Sequence, residues 1–314
     1  MFSIIIPCHN KAPHIHRSIS SVLNQSLGEW EMIFVDDAST DSSLEEVRKF
    51  EDRRIQVFQR EIPGPGGYAA RNFGVTKARF QWICFLDADD EWKPNYLKNL
   101  KFQIEKNEQI QFIGSAWEVS DGTTLKACSA TNQFSSSSFH LLSFEEFLRK
   151  SISNSPVVWT STACVKKDVF EKINGFPEGD CKSGGDIDTW FRLAEQVKVI
   201  GFWNEISGTY HIDSVNMVTR LGQTFEVPCV VKTIRNLLKE RESDLVHLIK
   251  KYSNKYLLAQ IAKSIKANRF NPELLEYFYG DLDWKKNAIL KTFKFRALRG
   301  LYRQYLEKMG SFYG

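Results

Sequence analysis

The sequence predicts an α/β fold: a Rossmann-like, mostly parallel sheet flanked by helices, followed by a helical C-terminal region. Three observations predict it. Short apolar runs alternate with helically spaced stretches over the first hundred residues, an order that demands right-handed crossovers. The apolar runs end on polar or acidic residues, as buried parallel strands do where their carboxyl ends meet a ligand crevice. From Val230 onward every stretch reads as helix.

Ile4-Ile5-Ile6 is the first strand, which Pro7 is expected to stop. His14 to Gln25 carries Ile15, Ile19, Val22 and Leu23 at helical spacing. Glu31 to Val35 is the second strand and runs into Asp36 and Asp37. Asp41 then resembles a helix cap, with Glu45 and Glu46 in the first turns. Ile55 to Phe58 is the third strand, Gly64 to Gly67 a loop, and Ala69 to Ala78 a helix. The fourth strand, Ile83 to Leu86, delivers Asp87, Asp89 and Asp90, and Pro94 to Lys106 is the next helix. Asp121 to Ser138 is rich in Ser and Thr and aperiodic, hence a mobile loop or short hairpin. Phe144 to Lys150 reads as helix, Val157 to Val165 as strand and Asp186 to Gln196 as helix. Val197 to Phe202 and Gly208 to Ile212 are short strand candidates.

A chain of 314 residues can bury a full core and carry a second, smaller unit. The expected division is 1–220 and 221–314, with a nucleotide-binding half to about residue 110 and an acceptor-side half to 220. The net charge of +4 is too small to argue for nucleic acid, but its distribution is uneven. Residues 221–314 hold 18 Lys+Arg against 9 Asp+Glu, hence +9 there and −5 before it. No apolar run is long enough to span a membrane. The N-terminus shows neither a basic leader nor a cleavage site, so a cytoplasmic protein is expected. Cys8, Cys84, Cys128, Cys164, Cys181 and Cys229 are scattered without CxxC spacing, which predicts reduced thiols.

Carboxylate oxygens at strand ends suit a hard divalent cation that also holds substrate phosphates; the bland alternative is an acidic, solvated turn. A dinucleotide fold would want GxGxxG after the first strand, where Cys8-His9-Asn10-Lys11 stands, and GxxxxGK[ST] is absent. Without a phosphate-cradling glycine loop, a metal is left to neutralise a phosphate.

Seven blocks in order carry a family resemblance. They are Ser3 to Asn10, Val35 to Asp41, Ala69-Ala70-Arg71-Asn72, Phe85 to Asp90, Gly175-Phe176-Pro177-Glu178, Gly184 to Ala194 and Tyr210 to Asn216. Together they resemble the signature of family 2 glycosyltransferases with the GT-A fold, inverting enzymes of bacterial surface-glycan type, over residues 2 to 220. The resemblance implies a nucleotide-sugar donor, with UDP as its nucleotide, and a glycan or lipid-linked glycan acceptor. It puts Pro7 and His9 at the base pocket, Asp37 at the base edge, Arg71 beside the base or diphosphate and Asp87 near the ribose and metal. Asp89 falls on the direct ligand of Mg²⁺ or Mn²⁺, and His211, with Asp213 as alternative, on a late metal contact. Asp186 falls on the general base, which removes the acceptor hydroxyl's proton.

Other readings stand beside these. Arg71 could be a surface helix residue, Asp186 an N-terminal charge partner worth about 0.3–1 kcal/mol, and Asp90 a turn cap. His14 and His16 suit an exposed helix start. Trp190, Phe191 and Leu193 suit a core, whereas Trp159 suits either a core or a sugar platform. Gly185 stands where the family often has Glu, and QxxRW, the mark of processive synthases, is missing, so single addition is implied. Two rival functions remain: a sugar-nucleotide nucleotidyltransferase, and a non-catalytic carbohydrate-binding protein.

Trp284 to Met309 reads as one amphipathic helix, with Trp284, Ala288, Phe295, Leu298, Tyr302, Tyr305 and Met309 near one face. After Trp284 stand 8 basic residues and 1 acidic one. Such a helix suits peripheral contact with the inner face of a membrane, or packing on the catalytic domain or a twin subunit. Oligomeric state stays open.

Overall fold

A computed structural model describes residues 2–134, 138–179, 181–216, 224–240 and 244–308. Met309 and the expected boundary at 220/221 lie outside these residues, as do 135–137 of the Ser/Thr-rich segment. The chain forms two compact units, Met1–Leu221 and Gly222–Gly314.

The first unit begins β1 (Phe2–Cys8), α1 (Ala12–Leu23), β2 (Trp30–Asp37), α2 (Ser43–Arg48), β3 (Ile55–Arg60), α3 (Tyr68–Lys77) and β4 (Trp82–Phe85). It continues β5 (Glu91–Trp92), α4 (Tyr96–Lys106), β6 (Phe112–Ser115), β7 (Glu118–Ser120), β8 (Leu125–Ala127), β9 (Phe139–Leu142) and α5 (Phe144–Ile152). β10 (Cys164–Lys166), α6 (Lys167–Lys172), α7 (Gly185–Gln196), β11 (Ile200–Trp203) and β12 (Gly208–His211) complete it.

The large sheet has the order β3-β2-β1-β4-β10-β6-β11-β9. Its first four strands pair in parallel, as do β6 and β11, while β10 and β9 run antiparallel to their neighbours. β1, β2 and β4 are buried at every residue, which is why they read as continuous apolar runs rather than as alternation. Alternate residues serve two layers. Ile4, Ile6, Phe34 and Cys84 join Ile15, Ile19 and Leu97 in one core, and Phe85 packs on Phe170, Phe176 and Trp190 in the other. Trp190, Phe191 and Leu193 are thus core residues. Gly74 brings α3 close to the sheet, since a Cβ there would lie 2.6 Å from Cγ2 of Ile5.

Pro7 does not stop β1. Ile5 turns its carbonyl to the amide of Leu86 on the β4 side, so Pro7, two residues on, presents its missing N–H to the same side. β4 pairs only with Phe2 to Ile5, whereas β2 continues to Cys8. The proline therefore removes no ladder bond.

Val157 to Val165 is not a strand throughout. Thr160–Thr162 form a 3₁₀ turn and only Cys164–Lys166 join the sheet. The hydroxyls divert the chain: Thr162 Oγ1 donates to the Ser115 carbonyl at 3.1 Å, and Ser161 Oγ to Asp90 at 2.5 Å. A second sheet, β5-β12-β7-β8, flanks these turns. Its β7–β8 hairpin occupies part of the aperiodic segment and is closed by Asp121, whose carboxylate accepts from the Thr123 and Thr124 amides.

The second unit comprises α8 (Cys229–Glu240), α9 (Val246–Lys266), α10 (Trp284–Thr292) and α11 (Arg296–Lys308). Val230, Val231, Ile234, Ile249, Tyr252, Leu257, Ile261 and Ile265 are its buried apolar residues on α8 and α9. The single helix expected from Trp284 is two, broken where Phe293 turns inward to 3% exposure. Trp284, Phe295, Leu298 and Tyr305 remain exposed. Cys8, Cys84, Cys128 and Cys164 are buried thiols. Cys181 and Cys229 are each disulfide-bonded, which corrects the expectation of thiols at those two positions.

Candidate active site

The carboxyl ends of β1, β2 and β4 open on one cleft of 470 Å³. Pro7, His9, Asp37, Arg71, Asp87, Asp89 and Asp186 all line it. Asn10, at φ +54°, aligns two of these ends: its side-chain carbonyl accepts from the Thr40 amide at 2.7 Å and the Asp41 amide at 3.3 Å. His9 Nδ1 then reaches the Asp37 carbonyl at 2.8 Å.

Each carboxylate meets a different partner. Asp37, 1% exposed, pairs with Arg60 and accepts from the Gly64 amide at 3.0 Å. Asp87 pairs with Arg71, whose guanidinium also donates to the Gly66 carbonyl at 2.8 Å and stands over the Phe176 ring. Arg71 is buried, not a surface helix residue. Asp89 accepts from Lys11 Nζ at 2.6 Å, and the same ammonium donates to the Val215 carbonyl at 2.7 Å. Asp90 turns the other way, buried between Ser161 Oγ and the His211 amide. Burial, with the charges of Asp89 and Asp87, pushes its carboxyl well above the usual range. Ser161 ties the acidic turn together, because it donates to Asp90 and accepts from the Asp87 amide at 3.2 Å.

Asp186 sits in the first turn of α7. The amide of Gly185 beside it donates to the Tyr68 hydroxyl at 2.8 Å. A side chain at 185 would meet the Tyr68 ring at 2.8 Å and Pro177 at 2.9 Å, so the family's common Glu has no room here. Burial raises the Asp186 carboxyl above its ordinary value, against the pull of Arg71. A raised carboxyl is a stronger proton acceptor once ionised. Asp188, two residues on, faces away and pairs with Arg192 at 2.8 Å. The Cys8 thiol also lines the cleft, but burial pushes it up to about 12, so it stays protonated and is no nucleophile.

His211 is not among the lining residues. On β12 its neighbour Tyr210 faces the cleft, so the next side chain points to the other side of the strand. There His211 Nε2 lies 3.3 Å from Glu91 and Nδ1 3.8 Å from Asp213. Asp213 likewise stands off the cleft, against Gly122. Tyr68 and Ser161 carry no sequence signal as members or supports of the site, and Lys11 and Tyr210 stand in a strand-end segment and a family block with no role of their own. Trp159, read from the sequence as core or sugar platform, also lines the cleft, 5.7 Å from Tyr210.

The donor set fits a divalent cation of the kind that keeps substrate oxygens and water. Among the described residues no group of three or more His, Cys, Asp or Glu converges to cage one. Asp89 and Asp87 offer carboxylate oxygens to the cleft, and Mg²⁺ is commonly held by one or two such groups plus phosphates. Lys11 and Arg71 already balance these two charges.

This mostly parallel sheet, flanked by helices and with carboxylates at its strand ends, has the architecture of the GT-A fold. The backbone is similar to crystal structures of S. aureus TarS 1–349. The complex with UDP-GlcNAc matches at a TM-score of 0.72 and 17% identity, covering 100% of this chain and 93% of that one. The sequence model of Glycosyl transferase family 2 matches residues 3–173, and the chain belongs to that family. It is 38% identical over 128 residues to the Putative teichuronic acid biosynthesis glycosyltransferase TuaG of Bacillus subtilis, 40% of this chain and 50% of that protein. It is 35% identical over 125 residues to the glucosyltransferase WfgD of Escherichia coli, 40% of this chain and 49% of that protein. The chain thus spans about half the length of these two relatives. The family is one of glycosyl transferases, which favours that reading over the nucleotidyltransferase and non-catalytic ones.

Proposed function

We propose that the chain moves one sugar, with inversion, from a UDP-sugar to a hydroxyl of a glycan acceptor in bacterial surface-polysaccharide synthesis. The observation that carries this reading is the meeting of Asp37, Arg71, Asp87, Asp89 and Asp186 in one cleft from separate crossovers. The printed names of similar proteins support the donor and acceptor classes. TarS was crystallised with UDP-GlcNAc and with UDP. WfgD is described as a UDP-Glc:alpha-D-GlcNAc-diphosphoundecaprenol beta-1,3-glucosyltransferase, and TuaG is assigned to teichuronic acid.

In this reading Pro7, His9 and Asp37 form the base end of the cleft, and Arg71 and Lys11 face the diphosphate. Asp89, with Asp87, would hold Mg²⁺ or Mn²⁺, which when bound supplies Lewis-acid stabilisation to the leaving diphosphate. Asp186 takes the proton of the acceptor hydroxyl while that oxygen bonds to the anomeric carbon; the bond from that carbon to the diphosphate breaks, and UDP leaves with its electrons. Trp159 and Tyr210 offer aromatic faces on which a sugar can stack.

No helix among the described residues is long and apolar enough to cross a membrane. Peripheral contact at the cytoplasmic face is part of the proposal. The exposed Trp284, Phe295, Leu301 and Tyr305, set among basic residues, support it.

Calorimetric titration with UDP tests the donor reading. Binding should tighten at least about tenfold with Mg²⁺ or Mn²⁺ over EDTA, a gain of about 1.4 kcal/mol. Equal or undetectable binding in both conditions would remove it.

A further inference from the structure

The second unit contains its own cavity, of 430 Å³, and its wall carries Arg269, Arg296, Arg299 and Arg303 but no carboxylate. Arg269 follows α9, and the other three stand at spacings of three and four on α11, which places them on one face. We propose that this cavity is a binding site for a phosphate or diphosphate group, separate from the donor cleft.

The argument is one of charge and geometry. Arg269, Arg296 and Arg299 bring three guanidinium groups to one space, where they repel one another, and an anion between them relieves that repulsion. Arg299 is held by the carbonyls of Phe293 and Lys294, the latter at 3.2 Å, and stands 4.9 Å over the Phe270 ring. Arg269 stands 5.2 Å over Phe225. The ion pairs Lys250–Asp281 and Lys286–Asp283 use other cations. Among the described residues no carboxylate pairs with Arg269, Arg296 or Arg299. Planar guanidinium forks match phosphate oxygens two at a time, and one phosphate has oxygens for more than one fork, which a chloride lacks. Arg296 also opens α11, where the helix's own amides favour negative charge.

The phosphate could belong to a soluble molecule or to a lipid headgroup, and the test separates the two. The full chain is titrated calorimetrically with inorganic phosphate and with pyrophosphate, in EDTA at fixed ionic strength. Flotation is measured with phosphatidylcholine vesicles, with and without phosphatidic acid. Each probe is repeated on Arg296→Glu, whose side chain is exposed, and on Lys11→Ala, which removes a cation from the donor cleft. The site predicts binding that weakens about tenfold or more in Arg296→Glu and is unchanged in Lys11→Ala. Response to the free anions assigns a soluble ligand, and response to phosphatidic acid vesicles alone assigns a lipid one. A loss that follows Lys11→Ala but not Arg296→Glu would move the anion to the donor cleft and overturn the proposal. So would no binding of any probe to the unaltered chain.

Discussion

Replacing Asp186 by Asn separates the base from every other part of the cleft. The substitution keeps size and shape in the first turn of α7, beside the Gly185 amide held by Tyr68, so the helix stays in place. Two effects are then removed. One is the interaction of a carboxylate with the helix N-terminus, at most about 1 kcal/mol or roughly fivefold in rate. The other is proton transfer from the acceptor hydroxyl, worth about 10²–10⁴-fold, or about 3–5 kcal/mol of barrier. Turnover with a UDP-sugar should therefore fall by at least about a hundredfold, while UDP affinity changes little, since in the proposed reading Pro7, His9, Asp37, Arg71 and Lys11 hold the nucleotide. The pH profile supplies a second reading. Asp186 acts only when ionised, and burial raises its carboxyl, so turnover by the unaltered enzyme falls on the acid side, beginning at a higher pH than an ordinary aspartate would give. That limb should vanish in Asp186→Asn. Steady-state rates across pH, paired with calorimetry, decide the matter. A variant that keeps turnover within about fivefold and retains the acid limb would remove Asp186 from the mechanism.

Asp89→Ala should abolish the metal-dependent part of UDP affinity and leave the metal-free part intact; calorimetry showing an undiminished metal effect would contradict its role. Ser161→Ala leaves the Asp87 amide and the buried Asp90 carboxyl each short of a partner, so thermal or urea unfolding should show a loss of about 1–3 kcal/mol. Asp90 contributes stability that is full below the ordinary aspartate range and is lost as pH rises through its raised value. Melting temperatures of Asp90→Asn should accordingly depend less on pH there than those of the unaltered chain. Gly74→Ala forces a methyl to within 2.6 Å of Ile5 and 3.3 Å of Val35; it should cost about 1–3 kcal/mol by overpacking, and an unchanged melting temperature would refute the close approach of α3.

The sequence by itself determined which residues arrive at the cleft rim. Apolar runs such as Ile4 to Ile6 and Ile83 to Leu86 are local signals of strands buried on both faces, and in a parallel sheet the residues after such strands share one edge. Pro7, Asp37, Asp87 and Asp89 were legible for that reason, and Asp186 through the resemblance of its block. Only the tertiary structure decided what those residues touch. Lys11 meets Asp89 across 78 positions, and Ser161 joins Asp87 to Asp90 from a turn that the apolar pattern had read as strand. His211 faces away because strand alternation gave the cleft to Tyr210. The same holds for the tail, where helical spacing predicted one continuous stripe and burial of Phe293 broke it. Periodicity is written within a segment of ten or twenty residues, whereas pairing depends on register and layer packing between segments, which no single segment encodes.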